Sequence, residues 1–592
     1  MKVPIEKHIE FYNLEIVTIK AKWKNYLNKE MRLLIAENEL YIGRLWAVEK
    51  KTGLYIIRFK AKEVPRSNTP YFLGLVGTDA VGNPNSWNFS YHDFRLSSEK
   101  NYWTKKGGDI TVLNYLKADN DWAYFLISIP DLKFGEYLER EFLENDLQPL
   151  VVIAESDPPL EYLYNLKEFI ELNKENLILN SACNIQPKNW QPKGLDNEND
   201  ITETLLKIIN ENKTNIIQGP PGTGKSYYAS KIIKHFIDNN QTVAVCALTN
   251  KALMEVIGQP ALRESLKNGL VYKTSLSKEE IKKEPQLKSL EDATLKQGEL
   301  LATTFYKLSN YYKDLISDSK RFDLLIIEEA SQAFLATIAM FHKIADKVLI
   351  VGDHKQLPPV VNTNKKILDK IHPYIETTIR GLESFAFNNN NTSYRLTKTK
   401  RLTNEAANLT GLFYDNQLKS ISSFNNKIIH PTLCKEIFHP NGGISIVKLD
   451  KAGKKSRPED TVLHTISKIA KNVLDSNTKA KVAILVPTKN HEKRLNYKFS
   501  QQGADFKRIT ISTVHKVQGI TCDYTLFYLP LTNFFLELDD NLFNVATSRA
   551  KKGCLLVTYS HIDEIVGKSI EYDKFINGCI DVTESYKNLF YM

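Results

Sequence analysis

The segment from Gly219 to Ser226 reads GPPGTGKS and constrains the fold of this 592-residue chain more than any other feature. An apolar run, NIIQ, precedes it, and a helical pattern, SYYASKIIKHF, follows it. A glycine-rich turn between a strand and a helix can point backbone N–H groups at phosphate oxygens, and the helix N-terminus adds a favourable dipole. The sequence therefore predicts a nucleotide phosphate site within a parallel α/β sheet.

The residues of this loop have predicted parts in binding a nucleotide. Gly222 and Gly224 permit the turn, Lys225 reaches the outer phosphates, and the Ser226 hydroxyl is a predicted Mg²⁺ ligand. ATP and Mg²⁺ are the cofactors that this motif indicates. The predicted nucleotide-binding residues of the loop are Gly219, Pro220, Pro221, Gly222, Thr223, Gly224, Lys225 and Ser226.

Two later segments supply groups that hydrolysis of a bound nucleotide requires. In DLLIIEEASQA a carboxylate pair follows an apolar run, so Glu328 is predicted to hold the Mg²⁺ shell and Glu329 to polarise the attacking water. A solvated pair that caps a strand is the alternative interpretation. In KVLIVGDHKQLPPVV, Asp353 and Gln356 follow the next apolar run, and a glutamine there can hydrogen-bond a γ-phosphate.

Apolar runs of strand length alternate with helical patterns in two series, which predicts two tandem α/β domains with parallel sheets, 191–385 and 386–592. A Lys/Glu-rich stretch at about 258–298, with helical patterns and no recognised strand, predicts a helical insert in the first of them. A polar segment rich in Pro, Gly and Asn separates these domains from an N-terminal accessory region, 1–190, with β-type runs followed by helical patterns.

Composition narrows the class of protein further. With 42% hydrophobic and 25% charged residues the chain is globular, and its net charge of +10 (79 Lys and Arg against 69 Asp and Glu) fits a polyanionic partner. The stretch 101–200 holds eighteen acidic and nine basic residues, which indicates either a protein-docking surface or a solvated face. The lack of a long apolar run and of a signal-peptide pattern predicts no membrane association and a cytoplasmic location.

The order and spacing of GPPGTGKS, EEASQ and GDHKQLPP resemble superfamily 1 helicases, above all the group typified by the nonsense-mediated-decay RNA helicase. The resemblance implies a cleft between two RecA-like domains, preceded by a small β-barrel on a helical stalk and carrying a helical insert. Further segments that match this pattern are TNKA at 249–252, LATTF at 301–305, FYDNQL at 413–418, STVHKVQG at 512–519 and NVATSRAK at 544–551.

The resemblance also implies roles for residues outside the phosphate loop. Arg549 is expected to act as an arginine finger and Arg401 as a second cation at the γ-phosphate, with Arg395 as a competing candidate for the second role. Gly519 is expected at the nucleotide. The residues expected to contact a nucleic-acid strand are Thr249, Asn250, Thr303, Thr513 and His515.

Some residues depart from the pattern of the group. Glu328 stands where the group usually has aspartate, and VHKVQG is closer to RecD-like and Dda-like DNA helicases, so the preference between RNA and DNA stays open. Gln191 is the nearest candidate for reading the adenine base. The implied function is an ATP-dependent helicase or translocase that moves 5′-to-3′ on single-stranded RNA or DNA. The alternatives are an ATPase that remodels protein–nucleic acid complexes without processive unwinding, and a nucleotide-switched nucleic-acid clamp.

Overall fold

The described residues form three main sheets: a barrel near the N-terminus and two parallel sheets, named here the first sheet and the second sheet. A computed structural model describes residues 3–49, 54–61, 63–67, 69–77, 87–96, 104–119, 121–144, 148–176, 178–179, 192–195, 200–290, 294–317, 321–387, 390–425, 428–450, 458–501, 508–517, 519–529, 540–560, 562 and 570–590.

The barrel is closed and antiparallel, because its first strand pairs with both the second and the last. Burial alternates along the second strand, as expected for a strand with one face toward the barrel interior. Tyr55, Ile57 and Phe59 are fully buried in the core, whereas Arg58 between them is only half-buried. The strands of the barrel are Tyr41–Glu49, Leu54–Lys60, Thr69–Val76, Thr104–Ala118, Trp122–Ser128 and Leu150–Ala154.

Helices join the barrel to the first sheet. The long helix Ile5–Asn28 and the helix Leu160–Leu172 pack on each other and share one hydrophobic core with the first sheet. A buried carboxylate fixes this arrangement, since Glu15 accepts hydrogen bonds from the backbone N–H groups of Asn362 (2.6 Å) and Thr363 (2.9 Å). The remaining helices of the N-terminal region are Met31–Ala36, Tyr91–Leu96 and Leu132–Glu144.

The first sheet has nine strands, all paired in parallel, and its central strands are continuous apolar runs buried on both faces. In spatial order the strands are Lys288–Ser289, Val271–Lys273, Leu300–Thr304, Val243–Ala247, Phe322–Ile327, Ala345–Gly352, Thr214–Gln218, Ser393–Arg395 and Lys193–Gly194. Its helices are Ile201–Glu211, Lys225–Asp238, Asn250–Ile257, Arg263–Lys267, Lys278–Lys283, Phe305–Ser317, Leu335–Phe341, Lys365–Ile371, Ile375–Thr378 and Gly381–Phe387.

The stretch predicted as a helical insert, about 258–298, contains strands as well as short helices. Val271–Lys273 and Lys288–Ser289 extend the edge of the first sheet, so the expectation of a strand-free insert is wrong. These strands are too short to be recognised from periodicity. They form because Val271 is fully buried against the core and pairs with Leu300, far along the chain.

The second sheet has six strands and is also entirely parallel. Its strands, in spatial order, are Ile509–Thr513, Val482–Val486, Cys522–Tyr528, Ala550–Tyr559, Ile444–Leu449 and Ile580–Asp581. The helices on this side are Asn404–Gly411, Pro458–Ser476, Lys489–Gln501, Asp540–Thr547, Ile570–Asn577 and Thr583–Phe590. Lys398–Thr399 and Lys419–Ser420 form a separate two-stranded sheet.

Two parallel sheets with helices confirm the predicted α/β class. The first sheet includes Ser393–Arg395, which lies on the C-terminal side of the domain boundary predicted at 385. Among the described residues, no helix combines the length and apolar character that crossing a bilayer requires.

Candidate nucleotide and strand-binding sites

The GPPGTGKS loop connects the strand Thr214–Gln218 to the helix Lys225–Asp238, as the sequence predicts. Gly222 and Gly224 adopt φ angles of 75° and 89°, in the left-handed region that favours glycine. A Cβ atom on Gly222 would lie only 2.3 Å from the Cβ atom of Arg401. The loop therefore needs glycine there both for its backbone conformation and for the close approach of this arginine.

Hydrogen bonds within the loop hold its shape. The Lys225 ammonium donates to the carbonyl oxygen of Gly219 (2.6 Å), and the Thr223 hydroxyl donates to the carbonyl oxygen of Pro220 (2.8 Å). The helix that begins at Lys225 directs its N-terminus at the same place, where a helix dipole favours an anion. The loop thus combines a cation, glycine residues that permit its backbone turn, and a helix N-terminus, as a phosphate site requires.

The carboxylate pair follows the strand Phe322–Ile327 at its carboxyl end. Glu328 is 2% exposed, and its Oε1 atom is buried with no hydrogen-bond partner among the described residues. Burial raises the pKa of Glu328 to about 7, an effect that the nearby Lys225 partly opposes. A buried carboxylate oxygen without a partner fits a divalent cation, so Glu328 and Ser226 are suited to hold Mg²⁺.

Glu329 has an unusual backbone conformation for a non-glycine residue, with φ 50° and ψ 39°. Strain of this kind concentrates at functional sites, and here it turns the side chain toward Gly519, where a Cβ would lie 3.7 Å from Glu329 Oε1. Burial also raises the pKa of Glu329. A carboxylate with a raised pKa is a better proton acceptor, which suits the predicted activation of water.

Gln356 lies in the loop after the strand Ala345–Gly352 and is held by its neighbour. Its side-chain N–H donates to Oδ2 of Asp353 at 2.8 Å, and both residues are buried. This bond fixes the orientation of the glutamine amide at the edge of the phosphate loop.

Arg401 and Arg549 reach this place from the C-terminal half of the chain. Hydrogen bonds hold the Arg401 segment against the phosphate loop: the Thr399 hydroxyl donates to the carbonyl of Pro221 (2.8 Å) and the Lys400 N–H to the carbonyl of Gly222 (2.9 Å). Burial, and then the proximity of Arg401, lower the pKa of Arg549 to about 9. The buried guanidinium of Arg549 and the half-buried one of Arg401 lie close together, and such a pair matches an anion of high charge.

The competing candidate Arg395 lies outside this pocket. It is 3% exposed, and its guanidinium donates to Gln218 Oε1 (2.6 Å) and Asp415 Oδ2 (2.9 Å). The geometry therefore favours Arg401 as the second cation. Gln191, the candidate for reading adenine, lies outside the described residues.

One pocket gathers the residues predicted from separate motifs. Besides the phosphate loop, it is lined by Glu328, Glu329, Gln356, Arg401, Gly519 and Arg549. It is also lined by residues for which the sequence motifs predict no role, namely Tyr227, Ala252, Glu255, Gln259 and Ser331. Glu255 follows TNKA on the same helix, and that spacing is the one sequence signal that could have indicated it.

The residues predicted to contact a nucleic-acid strand do not line this pocket. Thr249 and Asn250 are exposed at the start of the helix Asn250–Ile257, and His515 is exposed beyond the second sheet. Thr303 is fully buried, where its hydroxyl hydrogen-bonds with that of Thr274 (3.2 Å). Its side chain cannot meet a strand in this conformation, which corrects the prediction for this residue.

Thr513 is covered by the barrel. Arg66, which follows the second barrel strand, donates to the Thr513 hydroxyl (3.2 Å) and to Oε2 of Glu492 (2.7 Å), and this ion pair is buried. Lys516 donates to the hydroxyl of Thr69 beside it. The barrel therefore docks on the second sheet at the place where strand contact was predicted.

Comparisons with known proteins agree with these features. An AAA domain family matches residues 203–362. The replicase polyprotein 1ab of Alphamesonivirus 1 is 28% identical over 63% of this chain and 7% of its own length. The DNA replication ATP-dependent helicase/nuclease dna2 of Schizosaccharomyces pombe is 24% identical over 64% of this chain and 29% of its own length.

A third relative is the regulator of nonsense transcripts 1 homolog of Arabidopsis thaliana, which is 28% identical over 31% of this chain and 18% of its own length. The chain thus spans less than a third of each of these relatives. The ordered motifs, the AAA domain match and these relatives together support a chain that is similar to superfamily 1 helicases and, among them, to the group of the regulators of nonsense transcripts.

Proposed function

We propose that this chain is an ATP-dependent helicase or translocase that moves 5′-to-3′ on single-stranded RNA or DNA. The observation that carries the proposal is the single pocket in which Lys225, Glu329 and Gln356 meet Arg401 and Arg549. Relatives named ATP-dependent helicases support the activity. The direction of movement rests on the resemblance to the decay-helicase group.

Binding of ATP uses the phosphate loop. Its backbone N–H groups and Lys225 bind the phosphate oxygens, and Ser226 and Glu328 would hold Mg²⁺. A cation held there would supply charge neutralisation and orientation for the phosphates. Arg401 and Arg549 complete the charge balance from the other side of the pocket, and the triphosphate relieves the repulsion between them.

Hydrolysis then uses Glu329 and Gln356. The water oxygen attacks the γ-phosphorus, the bond from that phosphorus to the β–γ bridging oxygen breaks, and Glu329 accepts a proton from the water. Gln356 orients the attacking water or γ-phosphate oxygen, and the guanidinium of Arg549 stabilises the charge that spreads over the transferred group.

Strand movement follows from closing and reopening the pocket. The two sheets approach when ATP bridges the phosphate loop and the arginines, and they separate after hydrolysis. Exposed residues near the cleft, among them Thr249, Asn250 and His515, are proposed to hold the strand in turn. Contacts to phosphates would make binding salt-dependent and largely independent of sequence.

A nucleotide-switched clamp is the second candidate. Glu328 favours it, because this residue stands where the decay-helicase group usually has aspartate. Docking of a protein through the acidic stretch 101–200 and a cytoplasmic location are further parts of the proposal.

The test is ATP hydrolysis by the purified chain alone, with single-stranded RNA and with single-stranded DNA of equal length. Lys225→Ala is the inactive control, and Lys234→Ala on the same helix is the matched control, since Lys234 pairs with Asp238 at the surface. We expect stimulation by one strand type or both. Hydrolysis at the level of Lys225→Ala under every condition would favour the clamp.

Strand displacement tests the motor and its direction. A duplex with a 5′ single-stranded tail should be unwound, and one with a 3′ tail should not. Unwinding of the 3′-tailed duplex alone would contradict the proposed direction. Stimulated hydrolysis without unwinding of either duplex would indicate an ATPase that remodels protein–nucleic acid complexes, which a protein-displacement assay would reveal.

A further inference from the structure

Tyr414 is a buried tyrosine between the two sheets that the pocket residues do not include. It ends the short helical turn Leu412–Tyr414, is 1% exposed, and packs in a hydrophobic cluster with residues of the second sheet and with Leu357 from the first-sheet side. Its segment, FYDNQL, matches the helicase pattern, but the pattern implies no role for this residue. The hydroxyl nonetheless has two specific partners.

The Tyr414 hydroxyl joins the two sides of the cleft. It donates to Oδ2 of Asp353 at 2.6 Å and accepts from the side-chain N–H of Asn544 at 2.7 Å. The same Asp353 oxygen accepts the hydrogen bond of Gln356 (2.8 Å). Gln356, which is predicted to hydrogen-bond the γ-phosphate, and the Tyr414 phenol therefore donate to the same carboxylate oxygen.

On its other side the phenol is linked to the two arginines by hydrogen bonds through Asn544 and Ser548. Asn544 lies in the helix Asp540–Thr547, and its carbonyl oxygen accepts from the Ser548 hydroxyl at 2.6 Å. Arg549 donates to that hydroxyl (3.4 Å), and Arg401 donates to the carbonyl oxygen of Ser548 (3.3 Å). Both guanidinium groups thus share one anchor, Ser548.

We propose that Tyr414 is a positioning residue that couples Gln356 to the arginine pair, so that the two sides of the pocket adopt the reactive arrangement together. The inference rests on the proposed function, because it assigns a residue to the hydrolysis that this pocket would perform. Tyr414 itself does not line the pocket and acts through Asp353 and Asn544.

The chemistry of a phenol suits this role. A hydroxyl both donates and accepts, so it can satisfy a carboxylate on one side and an amide N–H on the other. Burial raises the pKa of Tyr414 well above its ordinary value, so the phenol stays neutral and keeps its proton for Asp353. Phenylalanine would fill the same space but leave the Asp353 oxygen and the Asn544 N–H each with one partner fewer.

Tyr414→Phe tests the coupling, with Tyr586→Phe as the matched control. Tyr586 is equally buried, and its hydroxyl bonds with that of Thr465, away from the pocket. We expect Tyr414→Phe to lower kcat for strand-stimulated ATP hydrolysis about tenfold while KM for ATP stays within about twofold. Tyr586→Phe should change neither constant.

A double variant separates coupling from packing. If the phenol acts through Gln356, Tyr414→Phe should add little to the loss in kcat already caused by Gln356→Ala. Thermal melting of each variant shows that it is folded at the assay temperature. A Tyr414→Phe chain with unchanged kcat, or a loss that adds fully to that of Gln356→Ala, would overturn the inference and leave the proposed function intact. A wild-type chain without hydrolysis would overturn both.

Discussion

The nucleotide pocket and the predicted strand-binding residues differ in how closely the structure follows the motifs. In the pocket, residues from GPPGTGKS to NVATSRAK line one cavity. Among the strand-binding residues, Thr249, Asn250 and His515 are exposed, whereas Thr303 is fully buried and Thr513 lies under Arg66.

The difference has a physical reason. A phosphate loop is defined by backbone turns and by a strand and helix that adjoin it in the sequence, so a local motif determines its geometry. Strand contact instead requires a side chain to be accessible, and accessibility depends on whatever packs over it from elsewhere in the chain. The barrel at Thr513 is such a remote element.

Glu329→Gln should have a large effect on ATP hydrolysis, and a small effect would contradict the assignment of the pocket. We expect kcat for ATP hydrolysis to fall by about 10²- to 10⁴-fold, because the amide cannot accept the proton of the attacking water. ATP affinity, measured with a fluorescent ATP analogue, should change little. The exposed Glu264→Gln is the control, and a kcat near wild type for Glu329→Gln would remove this residue from the mechanism.

Arg66→Met sharpens the comparison on the strand-binding side. It leaves the buried carboxylate of Glu492 without its partner, which should cost about 3–5 kcal/mol in the denaturant-induced release of the barrel from the second sheet. Arg32→Met, which breaks a surface ion pair with Glu30, should cost less than about 1 kcal/mol. A similar small cost for both variants would show that the barrel contact is weak. ATP affinity should be unaffected in either variant.

The sequence predicts the nucleotide pocket more completely than it predicts the strand-binding residues. The loop glycines, Lys225 and the carboxylate pair were predicted because their chemistry and their secondary structure lie within a few residues of each other. The buried hydroxyl of Thr303 bonds with that of Thr274, which follows the edge strand Val271–Lys273, and this edge strand depends on pairing with Leu300–Thr304. Partners at such separations leave no periodic signal in a single sequence.

Asn250→Ala and Thr303→Val compare an exposed residue with a buried one. Asn250→Ala should weaken binding of a labelled single-stranded oligonucleotide about fivefold, the effect of one lost hydrogen bond. Thr303→Val keeps the buried shape and should leave the affinity unchanged. Fluorescence anisotropy measures both constants, and a larger loss for Thr303→Val would mean that the strand-bound conformation exposes this residue.

The smallest effect concerns pH at the barrel contact. Burial, together with the nearby Arg66, lowers the pKa of Lys516 from 10.5 to about 8 in the folded chain. Between these values the unfolded chain binds more protons, so Lys516 makes the stability rise with pH from about 8 to 10. The resulting change in the free energy of unfolding is smaller than the one expected from loss of the Arg66–Glu492 ion pair.

Melting temperatures across that pH range measure the contribution of Lys516. Lys516→Met should remove a rise of about 1–2 °C that the wild type shows. The exposed Lys267→Met, as control, should keep the rise. An identical pH profile for Lys516→Met and wild type would show that this ammonium is not buried against the barrel.

The central claim is that groups from both sides of the cleft hydrolyse ATP together. Steady-state ATP hydrolysis by Arg549→Ala, with a saturating single-stranded oligonucleotide, tests this claim most directly. The account predicts a loss in kcat of about 10³-fold or more with ATP-analogue binding retained and the fold intact by circular dichroism. Hydrolysis by Arg549→Ala at the wild-type rate would contradict the claim that residues from both sheets complete the site.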